Sequence, residues 1–146
     1  MKHLVILLAI LLNTECGSKK ETTTSEENTL NTENTIAQSK LEGRWSITSI
    51  GNRVISGNDK AVISISRNQL SASVGCNNHT GSFEINKGTI KIYRLIATEM
   101  FCMELDEIER EMGTQLQKTT QYLLDNESLL LKDSEGSTTF VLRKNS

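Results

Sequence analysis

Phe83-Glu84-Ile85-Asn86-Lys87-Gly88-Thr89-Ile90-Lys91-Ile92 alternates apolar and polar side chains on both sides of one short polar turn. Period-two alternation places Phe83 with Ile85, and Ile90 with Ile92, on single faces of extended segments, while Asn86-Lys87-Gly88 supplies a hairpin-like turn. The stretch reads as an antiparallel hairpin with one buried face. Continuing the alternation puts Arg94 on the face of Ile92, and Tyr93 and Leu95 on the other.

The same rhythm runs outward in both directions. Trp45, Ile47 and Ser49 alternate with Ser46 and Thr48 until Gly51-Asn52, and Ala61, Ile63 and Ile65 alternate with Ser64 and Ser66. Arg67-Asn68 then turns the chain into Leu70, Ala72 and Val74. Toward the C-terminus, segments 122–124, 129–131 and 138–142 are separated by Asp125-Asn126-Glu127 and Ser134-Glu135-Gly136. About eight short strands at close intervals predict a mainly β fold, a small antiparallel barrel or strongly curved sheet. The chain has no Pro, so strand edges must be protected by charge, bulges or a covering helix.

One segment keeps a different period. Leu105, Ile108, Met112 and Leu116 recur at spacings of three and four, predicting an amphipathic helix over about 104–118 packed against the sheet. Glu104, Asp106 and Glu107 in the first turn and Lys118 at the far end suit the helix dipole. The acidic residues are read as a solvated face, with Glu104, Glu107 and Glu111 paired to Arg110 and Lys118, rather than as a metal or catalytic cluster.

Gly75-Cys76-Asn77-Asn78-His79-Thr80-Gly81 is read as a tight connection between Val74 and Phe83, with His79 exposed. Cys76 and His79 are the residue types of a nucleophile and base, or of metal ligands with Cys102 as a third. A catalytic pair also needs an orienting third group and an oxyanion site, and zinc usually takes four recognisable ligands or three plus water, so a structural turn is the expectation, with no catalytic residues, metal or cofactor.

The N-terminus addresses the chain to a membrane. Met1-Lys2-His3 precedes nine uninterrupted apolar residues, Leu4 to Leu12, a length that suits a secretory signal and is short of the roughly 20 residues a spanning helix needs. Asn13-Thr14-Glu15-Cys16-Gly17-Ser18 then resembles a bacterial lipobox, in which the cysteine carries lipid. Asn13 and Glu15 stand where that pattern has Leu and a small residue, so ordinary signal cleavage and an uncleaved anchor stand beside lipidation of Cys16. Residues 17–40 hold only Leu30, Ile36 and Ala37 as apolar side chains, and are expected to form a disordered tether. The domain expectation is therefore a signal peptide over 1–15, a lipidated cysteine and tether over 16–40, and a β domain over 41–146.

In an exported protein the two remaining thiols, Cys76 and Cys102, pair by default. Closing that loop of about 27 residues contributes ~3 kcal/mol on the chain-entropy account. In a reducing compartment both would instead pack as small buried hydrophobes. A net charge of -2, scattered Lys and Arg, two Tyr and one Trp give no footprint for nucleic acid.

Leu41-Glu42-Gly43-Arg44-Trp45, Gly75-Cys76-Asn77 with Gly81, Thr98-Glu99-Met100-Phe101-Cys102, and a helix with Glu104 and Glu109 follow one another in an order that resembles the META domain family, including heat-inducible lipoproteins of the HslJ type. The resemblance covers Leu41 to Leu142. It implies a compact antiparallel β fold with one helix and no established catalytic activity. Trp45, Gly75, Asn77, Gly81, Thr98 and Met100 would be its structural motif residues. Family links to heat shock, drug tolerance, motility and secretion imply envelope support.

The expectation is a non-enzymatic, monomeric lipoprotein tethered to the cell envelope, at the outer membrane in a Gram-negative host, binding an unknown envelope protein or ligand. An inhibitor of a cell-wall hydrolase or protease, with Asn77 to Thr80 entering a cleft, is the alternative. A Cys76/His79 enzyme is the third reading.

Overall fold

A computed structural model describes residues 24–145. The signal-peptide reading of residues 1–15 and the lipidation of Cys16 lie outside the described residues.

The described chain runs through α1 (Thr24–Leu41), β1 (Gly43–Ile50), β2 (Arg53–Val54), β3 (Val62–Ser66), β4 (Gln69–Ser73), β5 (Asn78–Asn86), β6 (Thr89–Ala97), α2 (Asp106–Lys118), β7 (Gln121–Asp125), β8 (Ser128–Lys132) and β9 (Thr138–Lys144). All strand pairs are antiparallel, and each strand from β3 to β8 pairs with its successor in sequence. β1 pairs with both β3 and β9, closing eight strands into a barrel, while the two-residue β2 hangs on the end of β1.

The opening hairpin is the β5–β6 pair, with Phe83 opposite Ile92, Ile85 opposite Ile90, and Lys87 and Gly88 both at positive φ in the turn. That conformation matches the twist of the flanking strands. The alternation expected along β6 fails at Arg94. Its φ is +55° and the pairing slips there, so Leu95 rather than Arg94 turns toward the core. Gly81 lies opposite this bulge. A Cβ on Gly81 would stand 3.2 Å from the Tyr93 carbonyl oxygen and 3.2 Å from Leu95 Cδ1, so the two strands approach closely only because that atom is missing.

The barrel interior is filled with side chains. Trp45, Phe83, Phe140, Leu129 and Leu142 from the strands share one fully buried core with Met112 and Leu116 of α2. The Trp45 indole N–H donates to the Leu41 carbonyl at 2.8 Å, and Lys144 Nζ lies 5.5 Å from its ring centroid, a cation–π distance.

The two ends of the barrel differ. One end carries the β3–β4, β5–β6 and β7–β8 turns, and α1 lies against it. Where the composition of residues 17–40 predicts disordered coil, Thr24–Leu41 is helical. The contacts responsible escape a compositional reading, because most are to backbone groups. Gln38 Nε2 donates to the Arg67 carbonyl at 2.9 Å and to Asn68 Oδ1 at 2.6 Å, Asn34 Oδ1 accepts from the Lys87 N–H at 3.4 Å, and Leu41 is buried. Ile36 and Ala37 line a shallow groove with Tyr122, Leu123 and Leu124.

At the other end, α2 crosses the mouth. Its start and its periodicity agree with the sequence within two residues, and it buries Glu109, Met112 and Leu116. Arg53 of β2 holds Glu107 at 2.8 Å and Glu111 at 2.9 Å, and Arg110 pairs with Asp106 at 3.2 Å. Beyond Lys118 the Thr119 and Thr139 hydroxyls meet at 2.8 Å, buried, fastening the end of α2 to β9.

Candidate functional site

The residues singled out in the sequence converge at the α2 end. Gly75 precedes the connection with φ +122°, a backbone region that L side chains avoid, and the stem of Lys60 and the tip of Leu105 lie against it. This lets the chain turn so that the N–H groups of Cys76 and Asn77 both point at α2.

There they meet one carboxylate oxygen. Glu109 Oε1 accepts from the Asn77 N–H at 2.8 Å and the Cys76 N–H at 3.2 Å. Glu109 is buried, and its Oε2 has no hydrogen-bond partner among the described residues. The solvated face expected for the acidic residues of the helix therefore needs correction at Glu109. It falls between Leu105 and Met112 on the apolar stripe and serves the loop from inside.

The Asn77 side chain works in the opposite direction, toward the segment after β6. Its Oδ1 accepts from the Met100 N–H at 2.8 Å and the Thr98 hydroxyl at 2.9 Å, and its Nδ2 donates to the Met100 carbonyl at 2.9 Å. Thr98 Oγ1 also accepts from the Asn78 N–H at 3.0 Å, and the Thr98 N–H donates to the Asn78 carbonyl at 3.1 Å. Asn77 thus acts as an extra strand residue, pairing with Met100 through its side-chain amide. Next to it Cys76 and Cys102 are joined as a disulfide, with Cα atoms 6.3 Å apart, inside the usual span of such pairs.

His79 is a correction. The sequence reading left it exposed in a turn, but β5 begins at Asn78, and alternation with Gly81 and Phe83 points the imidazole inward, 9% exposed. It packs on Gly113, where a Cβ would stand 3.0 Å from the ring. Burial pushes its pKa below the ordinary histidine value, and the Glu109 charge pulls partly the other way. Asn78, His79 and Thr80 are paired to β4 on one side, and His79 and Thr80 to β6 on the other, so they do not form a projecting loop.

The arrangement is a clamp. Asn77, Glu109, Thr98 and the disulfide fix residues 75–78, 98–102 and the first turns of α2 to one another. Trp45 belongs to the core at the barrel's far side, and Gly81 to the β5–β6 contact, so neither joins this cluster. Among the described residues no three His, Cys, Asp or Glu side chains gather in a metal-binding group. Glu109 and His79 are the members that sequence patterning missed as buried groups. The signal for Glu109 was its spacing of four from Leu105 and three from Met112; for His79, it was its spacing of two and four from Gly81 and Phe83.

Known structures with this architecture exist. An NMR structure of a protein from Burkholderia xenovorans is 21% identical with a TM-score of 0.59, covering 77% of this chain and 89% of that one. A second protein solved by NMR is 22% identical, TM-score 0.56, covering 70% and 88%. A DUF4847 family protein from Bacteroides vulgatus ATCC 8482, solved by crystallography, is 15% identical, TM-score 0.54, covering 75% and 97%. At these identities the likeness is one of fold. No curated protein matches the chain. A family model described as META domain matches residues 37–146, which takes in the barrel and the whole clamp. The chain belongs to the META domain family.

Proposed function

We propose that this chain is a non-enzymatic envelope lipoprotein whose META domain is a binding module in envelope support under stress. One observation carries the reading. The Asn77 amide is spent on Met100 and Thr98, Glu109 Oε1 on the backbone of Cys76 and Asn77, and the Cys76 sulfur on Cys102, while the one oxygen left over, Glu109 Oε2, is buried. A nucleophile with its base would need groups left free to meet a substrate. The short apolar run of residues 4–12 followed by Cys16 supports export and lipid anchoring, with the outer membrane as the site in a Gram-negative cell.

Mass spectrometry of the protein from its native membrane tests the anchor. The expected mature N-terminus is a diacylglyceryl Cys16; an unmodified Cys16, or cleavage elsewhere, removes the lipoprotein reading. The inhibitor alternative in its original form, with Asn77 to Thr80 entering a cleft, has lost its loop to the clamp and to β5.

A further inference from the structure

The clamp holds still a piece of chain that buries little of itself. Seven large apolar side chains are exposed among the described residues, and four of them fall between positions 96 and 103: Ile96 at 70%, Met100 at 58%, Phe101 at 79% and Met103 at 80%. Isolated exposed apolar residues are ordinary, but a cluster on a fixed segment marks an interaction surface. The restraints of the clamp act here. Asn77 grips the backbone of Met100 on both sides, the disulfide fixes Cys102, and Glu109 fixes the loop that carries Asn77. The entropy of ordering residues 98–103 is thus met within the chain before any partner arrives, which is what a preorganised docking loop requires.

We infer that Met100, Phe101 and Met103, with Ile96 beside them, dock into an apolar cleft of a partner protein whose rim carries Lys or Arg. The rim follows from charge. Glu99 and Glu104 flank the apolar residues, both exposed and both outside the ion pairs of the described residues. A symmetric second copy would set these carboxylates against their like, a juxtaposition that costs several kcal/mol. An anionic bilayer would repel them too. The loop also sits at the α2 end of the barrel, whereas α1 lies against the turns of the opposite end. This inference rests on the binding-module reading, and is independent of whether Cys16 carries lipid.

The test places a photoreactive benzoylphenylalanine at Phe101 of the full chain in the cells that make it. The same probe at Val54, 77% exposed and on β2 rather than on the loop, is the control. Expected is one discrete protein adduct from position 101 and none from 54. The crosslinked protein, purified separately, must bind the unlabelled domain and bind Glu99→Lys/Glu104→Lys and Phe101→Ser at least tenfold more weakly. These residues are exposed, so circular dichroism of the variants should match the parent. Absence of an adduct, equal adducts from both positions, an adduct to lipid or to a second copy of the chain, or affinity indifferent to the charge reversal would each overturn the inference. A missing lipid on Cys16 would overturn the anchor and leave this result standing.

Discussion

Asn77 and Met100 exchange two hydrogen bonds, the Met100 N–H to Asn77 Oδ1 at 2.8 Å and Asn77 Nδ2 to the Met100 carbonyl at 2.9 Å, so that one side-chain amide does the work of a strand neighbour. Asp in this place keeps the acceptor but turns the donor into a second acceptor facing the Met100 carbonyl. Asn77→Asp and Asn77→Ala are therefore both expected to destabilise the domain by about 1–3 kcal/mol, the cost of leaving such groups unpaired. Urea unfolding checks the size, and amide exchange at Met100 should accelerate in both variants. Unchanged exchange at Met100 would refute the pairing.

Glu109 offers a sharper contrast. Its Oε1 serves two backbone N–H groups while Oε2 has no partner. Glu109→Gln keeps the accepting oxygen and removes a buried charge, so a change under about 1 kcal/mol is expected; Glu109→Ala strands both N–H groups and should cost about 2–3 kcal/mol. Denaturant midpoints of the two variants decide it. Equal losses would mean that the charge, rather than the acceptor, holds the loop.

The Cys76–Cys102 disulfide closes a loop of sequence separation 26. On the chain-entropy account, Cys76→Ser/Cys102→Ser should lower stability by about 3 kcal/mol while leaving the barrel's circular dichroism intact. Thermal unfolding of the oxidised parent against the double variant measures it, and indistinguishable midpoints would show that the hydrogen bonds alone hold the clamp.

How much of this is legible in the sequence differs from element to element. The β5–β6 hairpin is legible because Phe83, Ile85, Ile90 and Ile92 alternate around a turn whose residues accept positive φ. The helix is legible because Leu105, Ile108, Met112 and Leu116 hold one face. Glu109 sits on that face too, but a carboxylate in an acidic first turn is by default solvated, and only the two N–H groups brought by a loop 33 and 32 residues earlier make its burial tolerable. His79 was hidden by its neighbours: Gly75, Asn77, Asn78 and Gly81 signal a turn, but the strand begins at Asn78, so the turn ends four residues before Gly81. The helix Thr24–Leu41 is invisible to composition because its anchors are the carbonyl of Arg67 and the N–H of Lys87, groups every sequence has.

Gly81 tests the packing of the barrel wall. An added Cβ would meet the Tyr93 carbonyl oxygen at 3.2 Å, and that oxygen is held in the strand at the Arg94 bulge, so the backbone must move. Gly81→Ala is expected to cost about 1–3 kcal/mol, as overpacking does. Calorimetry checks the loss, and a neutral result would show that the bulge yields.

His79 gives the domain a predictable response to acid. Its folded pKa lies below the ordinary value of 6.5, chiefly because burial disfavours the imidazolium against Gly113, with the Glu109 carboxylate opposing the shift. As the pH falls through about 6.5, the unfolded chain takes up this proton first, so the unfolded state binds more protons and stability declines. The decline levels off once the pH is below the folded value, where both states are protonated. His79→Gln keeps a polar side chain on Gly113 without titrating there. The urea midpoint of the parent should therefore fall more between pH 7 and pH 5 than that of the variant, whose remaining slope reports the carboxylates alone. Parallel slopes would mean that the imidazole is equally protonated in the folded and unfolded chains, and would refute the shift.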